Sequence, residues 1–368
     1  FMKKFGEDLG LETIVDEAGN VIIRKPATLG YENRRGVILQ AHLDMVPQKN
    51  ADCPHDFEKD PIETYVDNGW VRAKGTTLGA DDGLGAAAAM GVLASKTLEH
   101  GPVEALFTID EETGMTGANK LKENVLHGDI LLNMDSETEG ELYVGCAGGI
   151  DTNGVFSPKM EKVADGMTAF QLIVKGLKGG HSGMDINLGR ANANKVMNTL
   201  LIMASQKFGV RLATINGGSL RNAIPRESFA TVVVPTEKAE ELKAYVAEYE
   251  AVVKEQFKET EPEAVVTIAE AEMPAEVIDN KTFKNLLTAI AKYPNGVIGM
   301  SKDFEGTVET SSNLAIVKME NGKISTASLQ RGLVDDLKDK LASEIRNVLI
   351  DNGAYAESSG EYHGWQPN

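Results

Sequence analysis

Gly36-Val37-Ile38-Leu39-Gln40-Ala41-His42-Leu43-Asp44 runs from an apolar stretch straight into an imidazole and a carboxylate. Gly36 to Ala41 reads as a buried strand, so His42 and Asp44 fall at its carboxyl end and on the same side of the pleat, while Leu43 turns toward the core. Three further segments follow the same grammar. Asp81-Asp82-Gly83 follows a glycine-rich turn, Asp110-Glu111-Glu112 follows the apolar run Val103 to Ile109, and Asn133-Met134-Asp135 closes the strand pattern Asp129 to Asn133. Gly83 to Ala94 is an alanine-rich helix pattern. Strands alternating with helices describe an α/β domain, in which ligands gather beyond the carboxyl ends of the strands.

A polar residue at one strand end is usually solvated or capping. Four such ends in fixed order, offering hard oxygens and one imidazole, match the donors of a two-zinc hydrolase. Zinc takes histidine nitrogen and carboxylate oxygen, and a pair of ions about 3.5–4 Å apart needs a carboxylate to bridge them. A neutral imidazole on zinc passes its other N–H to a carboxylate or carbonyl, and Asp44 is placed for that task beside His42. Glu111 and Glu112 are adjacent on a loop and can face different partners, one a metal and the other a water whose proton it takes. Asp135 is placed to complete a second metal's sphere. The glycines between Gly75 and Gly85 are not a phosphate loop, because the run lacks the lysine and carries two aspartates that would repel a phosphate.

At 368 residues the chain is long enough for two domains. Thirty-seven Lys and Arg against 55 Asp and Glu leave a net charge of −18, which opposes nucleic acid and anionic membranes. No apolar run approaches the ~20 residues of a membrane helix, and Phe1-Met2-Lys3-Lys4 has no signal-peptide core, so the cytoplasm is the expected compartment. Cys53 and Cys146 are too few for a disulfide framework and lack metal-knuckle spacing, so both are expected to be reduced.

A different rhythm begins near Gly145. Phe170 to Gly176 reads as a strand, Asn192 to Lys207 as a helix, Arg211 to Asn216 and Glu227 to Val234 as strands, Lys238 to Lys258 as a long amphipathic helix and Val265 to Ala269 as a strand. That is the split βαβ order of a ferredoxin-like α+β domain. A shorter version follows, with helix Lys281 to Ala291, strands around Gly306 to Lys318 and Lys323 to Gln330, and helix Val334 to Asp351. Two ferredoxin-like halves fit this rhythm, although no sequence repeat links them. The expected layout is a catalytic domain over residues 1–146, an inserted lid domain over 147–360, and the start of a return to the catalytic domain at 361–368.

These motifs together resemble the M20 metallopeptidases, and within that family the aminoacyl-histidine (cytosol non-specific) dipeptidases. The resemblance is carried by Gln40-Ala41-His42-Leu43-Asp44-Met45-Val46-Pro47-Gln48-Lys49, by Gly75 to Gly85, by Thr108 to Gly117 and by Gly179-Gly180-His181-Ser182-Gly183. Arg221-Asn222-Ala223-Ile224-Pro225-Arg226-Glu227 and Tyr362-His363-Gly364-Trp365-Gln366-Pro367 extend it essentially from end to end. It implies a mixed-sheet zinc-peptidase domain carrying the ferredoxin-like lid. His42 and Asp135 become ligands of one zinc, Asp81 the bridge, Glu112 a ligand of the other zinc, Glu111 the general base and later acid, and Asp44 the group that orients His42. In the lid, His181 becomes the histidine that closes over the site and stabilises the oxyanion, and Asn192, Asn222 and Arg331 the residues that hold the substrate backbone and its C-terminal carboxylate. Arg331 sits in Leu329-Gln330-Arg331-Gly332, which departs from the family's usual surroundings.

The implied activity is that of a di-zinc dipeptidase, with cobalt or manganese as workable substitutes, hydrolysing unblocked dipeptides that include aminoacyl-histidine substrates. The resemblance leaves room for a homodimer. Related M20 acylases, tripeptidases and deacetylases share the metal core and are the enzymatic alternative. The family's last zinc-ligand histidine has no match here, since His363 stands where relatives carry proline, and a catalytically dead binding protein is the alternative from another class. Phe1 falls inside a helix pattern and Trp365-Gln366-Pro367-Asn368 closes no element, so a fragment with little activity of its own is expected.

Overall fold

A computed structural model of the chain describes residues 1–49, 53–136, 140–143 and 145–365. Glu137, two residues beyond Asp135, and the closing Gln366-Pro367-Asn368 lie outside the described residues. The chain divides into two compact units, Phe1–Tyr143 and Val144–Asn368.

The first unit runs α1 (Met2–Asp8), β1 (Glu12–Val15), β2 (Val21–Lys25), β3 (Val37–His42), the hairpin β4 (Thr64–Asp67) and β5 (Trp70–Ala73), α2 (Ala80–Ala94), β6 (Val103–Thr108), the short helices α3 (Glu111–Gly114) and α4 (Thr116–Asn119), and β7 (Ile130–Asn133). Its main sheet has the order β1-β2-β6-β3-β7, with β3 parallel to both β6 and β7 and the β1 and β2 pairings antiparallel. Both faces of the central strands are covered. Leu39, Ala41, Ala105 and Phe107 pack with Ala86, Ala89 and Leu93 of α2 on one side, and Ile22, Ile38 and Leu106 pack with Leu121, Val125 and Leu126 on the other. That double burial is why β3 and β6 are apolar runs rather than alternating ones. The small residues of α2 bring its axis close to the sheet, and each fully buried large side chain contributes about 1.5–3 kcal/mol.

The second unit opens with β8 (Gly148–Phe156), β9 (Met160–Lys162), β10 (Met167–Lys175) and the short β11 (Gly180–His181). Then come α5 (Ala193–Phe208), β12 (Arg211–Gly217), β13 (Ala223–Ile224), β14 (Ser228–Pro235), α6 (Ala239–Gln256), β15 (Val265–Glu270), β16 (Glu276–Ile278), α7 (Asn280–Lys292), β17 (Gly296–Met300), β18 (Val308–Glu320), β19 (Lys323–Gly332), α8 (Asp335–Asp351) and β20 (Tyr355–Tyr362). One antiparallel sheet carries the order β15-β10-β14-β12-β18-β19-β8-β20, with β17 added beside β18. Its helices cover a single large core that includes Leu172, Met197, Leu200, Leu242, Phe283, Leu286 and Ile345.

Both expected ferredoxin-like halves are present in that strand order. β15-β10-β14-β12 is the fourth, first, third and second strand of one βαββαβ unit, and β20-β8-β19-β18 repeats the pattern for another. The halves meet edge to edge through β12 and β18 at Asn216↔Lys318 and Gly217↔Val317. The second half is longer than its sequence rhythm implied, because β8 is its first strand and the whole first half is inserted between β8 and α7. Glu361 and Tyr362, expected at the start of a return to the first domain, are the last residues of β20 in this sheet. No helix among the described residues is long and apolar enough to cross a membrane.

Candidate metal centre

Parallel pairing of β3 with β6 and β7 places three carboxyl ends side by side: His42 ends β3, Thr108 ends β6 and Asn133 ends β7. The loops that leave these ends carry Asp44, Glu111, Glu112 and Asp135, and the start of α2 brings Asp81 to the same edge. His42 is the pivot and is only 1% exposed. Its Nε2 lies 2.9 Å from Asp81 Oδ1 and 3.9 Å from Asp135 Oδ2. Its Nδ1 lies 2.9 Å from the backbone carbonyl of Asp44, which is closer than the Asp44 carboxylate at 3.5 Å. The carbonyl therefore fixes the ring, and the carboxylate works elsewhere: it accepts from the backbone N–H groups of Glu111 and Glu112, both at 3.1 Å.

The Glu111-Glu112 turn is held in an unusual shape. Asp110 has φ 57° and Met115 φ 53°, both in the left-handed region that non-glycine residues seldom occupy. The Asp110 carboxylate accepts from the hydroxyls of Thr113 and Thr116, which ties the turn to itself. From below, fully buried Asn20 donates to the Gly117 carbonyl at 2.9 Å and accepts from Ile109 N–H at 3.3 Å. Asp82, 3% exposed, accepts from the backbone N–H groups of His42 at 3.2 Å and Gly85 at 3.1 Å, so the second aspartate of the pair joins β3 to α2 while Asp81 faces the cluster.

Two overlapping sets of donor atoms result, His42 with Glu111 and Glu112, and His42 with Asp81 and Asp135, each within 4.8 Å of one another. The chemistry of this set tests whether it suits cations. Burial, then the negative charges of Asp81 and Glu111, push the Glu112 carboxyl up to about 7. Burial and Asp81 likewise push Asp135 up to about 7. Burial works against a charge on His42, but its hydrogen bond to Asp81 and the charges of Asp135, Glu111 and Asp44 outweigh it and raise its pKa. So many carboxylates around one imidazole repel each other until protons or cations balance them. Divalent ions of borderline hardness, which accept both nitrogen and oxygen donors, fit that set.

A second cluster lies in the second unit. β11 pairs with β13 through His181↔Ala223, and Ser182 N–H donates to the Asn222 carbonyl at 2.7 Å. The backbone N–H of His181 donates to Asp185 Oδ2 at 2.9 Å, and Asp185 pairs with Arg190 at 3.1 Å. Gly180, at φ 131°, holds a backbone conformation that residues with a side chain rarely adopt, and a Cβ there would crowd the tips of Arg190 and Asp185. Arg331 of β19 brings Nη2 to 3.5 Å from His181 Nε2 and donates from Nη1 to the Tyr362 hydroxyl at 2.8 Å. Burial, then the charge of Arg331, lowers the pKa of His181 and keeps the ring neutral. Asn192 is different. Its Oδ1 caps α5 by accepting from Asn194 and Lys195 N–H, and its Nδ2 donates to Asn295, Asn313 and the Leu314 carbonyl.

Over 364 residues the chain is 45% identical to the cytosol non-specific dipeptidase of Escherichia coli (strain K12), a match that spans 99% of this chain and 75% of the relative. The chain belongs to the M20 family of peptidases. A family model described as the peptidase dimerisation domain matches residues 172–261, within the second unit. Among solved structures, the aminoacylhistidine dipeptidase of Vibrio alginolyticus matches with a TM-score of 0.73 at 46% identity, over 100% of this chain and 75% of that one.

In this M20 peptidase the sheet edge gathers His42, Asp44, Asp81, Glu111, Glu112 and Asp135, and the second unit places His181 and Arg331 side by side with Asn222 next to His181. Asn192 stands in the core as a helix cap with its amide committed to protein partners. Sequence reasoning passed over Asn20 and the anchoring role of Asp82, whose only signal was an asparagine or aspartate beside an apolar run. It also passed over the Asp44 carbonyl, which no side-chain pattern can reveal.

Proposed function

We propose that this chain carries the catalytic apparatus of a dinuclear metallodipeptidase that hydrolyses unblocked dipeptides, aminoacyl-histidine substrates among them, with zinc as the working metal. The observation that carries the reading is the convergence of His42, Asp81, Glu111, Glu112 and Asp135 within 4.8 Å sets at the carboxyl edge of a parallel sheet. It is supported by the similarity to two dipeptidases along nearly the whole chain.

His42, Asp81, Glu112 and Asp135 would hold the metal ions. Bound there, such ions polarise a scissile carbonyl and make water acidic enough to act near neutral pH. Glu111 takes the proton of the attacking water on its carboxylate and returns it to the leaving amine nitrogen. Asp44 keeps the proton of His42 on Nδ1 through its carbonyl, leaving Nε2 as the donor atom, and its carboxylate fixes where Glu111 and Glu112 begin. For the second unit the family resemblance assigns His181 to the developing oxyanion, Asn222 to the substrate backbone and Arg331, with its planar fork, to the C-terminal carboxylate. The segment 172–261 is assigned to pairing with a second copy.

The test is metal content measured together with hydrolysis of an unblocked dipeptide and its N-acetylated counterpart, using the full-length protein. Bound divalent metal and activity restricted to the unblocked substrate are expected. Preference for the acetylated substrate would make the chain an acylase instead.

A further inference from the structure

Arg331, Gly149 and Tyr362 form a row across three neighbouring strands. Arg331 of β19 is in register with Gly149 of β8, and Gly149 is in register with Tyr362 of β20. Residues in register across a sheet share a face, so Tyr362 and Arg331 point the same way from strands that flank β8, about 9.6 Å apart at two strand spacings. A side chain on the middle strand would normally separate them. Gly149 has none, and a Cβ there would sit 2.4 Å from the Tyr362 ring. The ring therefore lies across the glycine, and its hydroxyl meets Arg331 Nη1 at 2.8 Å. A register shift between Ser359 and Tyr362, with Gly360 at φ 62°, re-aims the tyrosine at the end of β20.

This contact selects which edge of the guanidinium is left for a ligand. With Nη1 engaged, the remaining edge is Nε and Nη2, the pair of parallel N–H groups that grips a carboxylate in two-point fashion. Nε is buried and has no acceptor among the described residues. Nη2 faces His181, whose Nδ1 accepts from the backbone N–H groups of Gly183 at 3.3 Å and Met184 at 3.1 Å. A neutral ring accepting at Nδ1 carries its proton on Nε2, so Nη2 meets another donor. Three donors thus converge with no acceptor among them.

We infer that Tyr362, reaching over Gly149, is a positioning residue that holds Arg331 with its Nε–Nη2 edge presented to the carboxylate of the substrate. The inference rests on the carboxylate role proposed for Arg331 and adds the device that orients it. A carboxylate held equally in ground and transition states changes KM and leaves kcat alone.

The experiment compares a dipeptide with its C-terminal amide in the full-length, metal-loaded protein, for Tyr362→Phe, Gly149→Ala and Arg331→Met. Loss of a hydrogen bond that orients a charged group is expected to raise KM for the free dipeptide about tenfold in Tyr362→Phe. The kcat should stay within about twofold, the amide should be unaffected, and the thermal midpoint should be unchanged. Gly149→Ala should give the same split by displacing the ring, and Tyr362→Phe should add nothing to Arg331→Met. Tyr362→Phe leaving KM unchanged, or lowering kcat for both substrates alike, overturns the inference while Arg331 keeps its role if Arg331→Met still erases the preference for the free carboxylate. An unchanged preference in Arg331→Met overturns the carboxylate role itself, and this inference with it.

Discussion

Asp44 holds His42 with its main chain and the Glu111-Glu112 turn with its side chain: its carbonyl lies 2.9 Å from His42 Nδ1 while its carboxylate accepts from both glutamate N–H groups at 3.1 Å. One residue therefore sets the spacing between the imidazole donor on β3 and the carboxylates that follow β6. The proposed ligands and base come from β3, α2, α3 and the segment after β7, and their mutual geometry depends on such ties.

Replacing Asp44 with alanine removes the carboxylate and spares the carbonyl. The Glu111-Glu112 turn loses both of its acceptors while the His42 tautomer survives. Turnover is expected to fall about 10- to 100-fold, the range for groups that orient ligands. Steady-state kinetics with a parallel metal determination checks this, and the metal should remain bound.

Away from the metal centre, Glu104 contributes to the acid stability of the first unit. It is 5% exposed, and burial alone would raise its pKa, but the Arg24 guanidinium at 2.9 Å and the N–H groups of His127 and Gly128 outweigh burial and hold it below the usual carboxylate range. A folded pKa below the unfolded one means that the contribution is complete above the unfolded pKa of about 4.3 and is lost as pH falls through the folded value. Glu104→Gln is expected to cost about 3 kcal/mol at pH 7 and to flatten the acid side of the stability profile. Thermal midpoints of both proteins from pH 7 to pH 3 provide the check.

Asn192→Ala tests a cap rather than a substrate contact. Asn192 Oδ1 closes the first turn of α5 and Nδ2 reaches across to β18, so the substitution is expected to destabilise the second unit by about 2 kcal/mol in urea unfolding. KM should hold within a few-fold in the protein that remains folded.

Much of this organisation was readable in advance because it follows from burial. β3 and β6 sit inside a doubly covered sheet and so announce themselves as apolar runs ending in polar residues, and α2 as an alanine-rich stretch. β8 and β20 did not. Gly148-Gly149-Ile150-Asp151 begins with two glycines, the first against the backbone of residues 362–364 and the second under the Tyr362 ring, and Tyr355 to Tyr362 is an edge strand of mostly polar residues, so neither alternates clearly. Without them the second ferredoxin-like half looked short, and the insertion of one half into the other is a topological fact that rhythm alone cannot carry. The resemblance placed Asn192 with the substrate residues, whereas burial among Asn194, Asn313 and Leu314 gives it a capping task that only a folded core reveals.

Glu111→Gln in the full-length, metal-loaded protein tests the central claim most directly, by metal content and turnover measured on the same sample. The account predicts that metal stays bound, because His42, Asp81, Glu112 and Asp135 are untouched, while kcat falls by about 10²- to 10⁴-fold as proton transfer is lost. Turnover within a few-fold of the parent, with metal still in place, would contradict it.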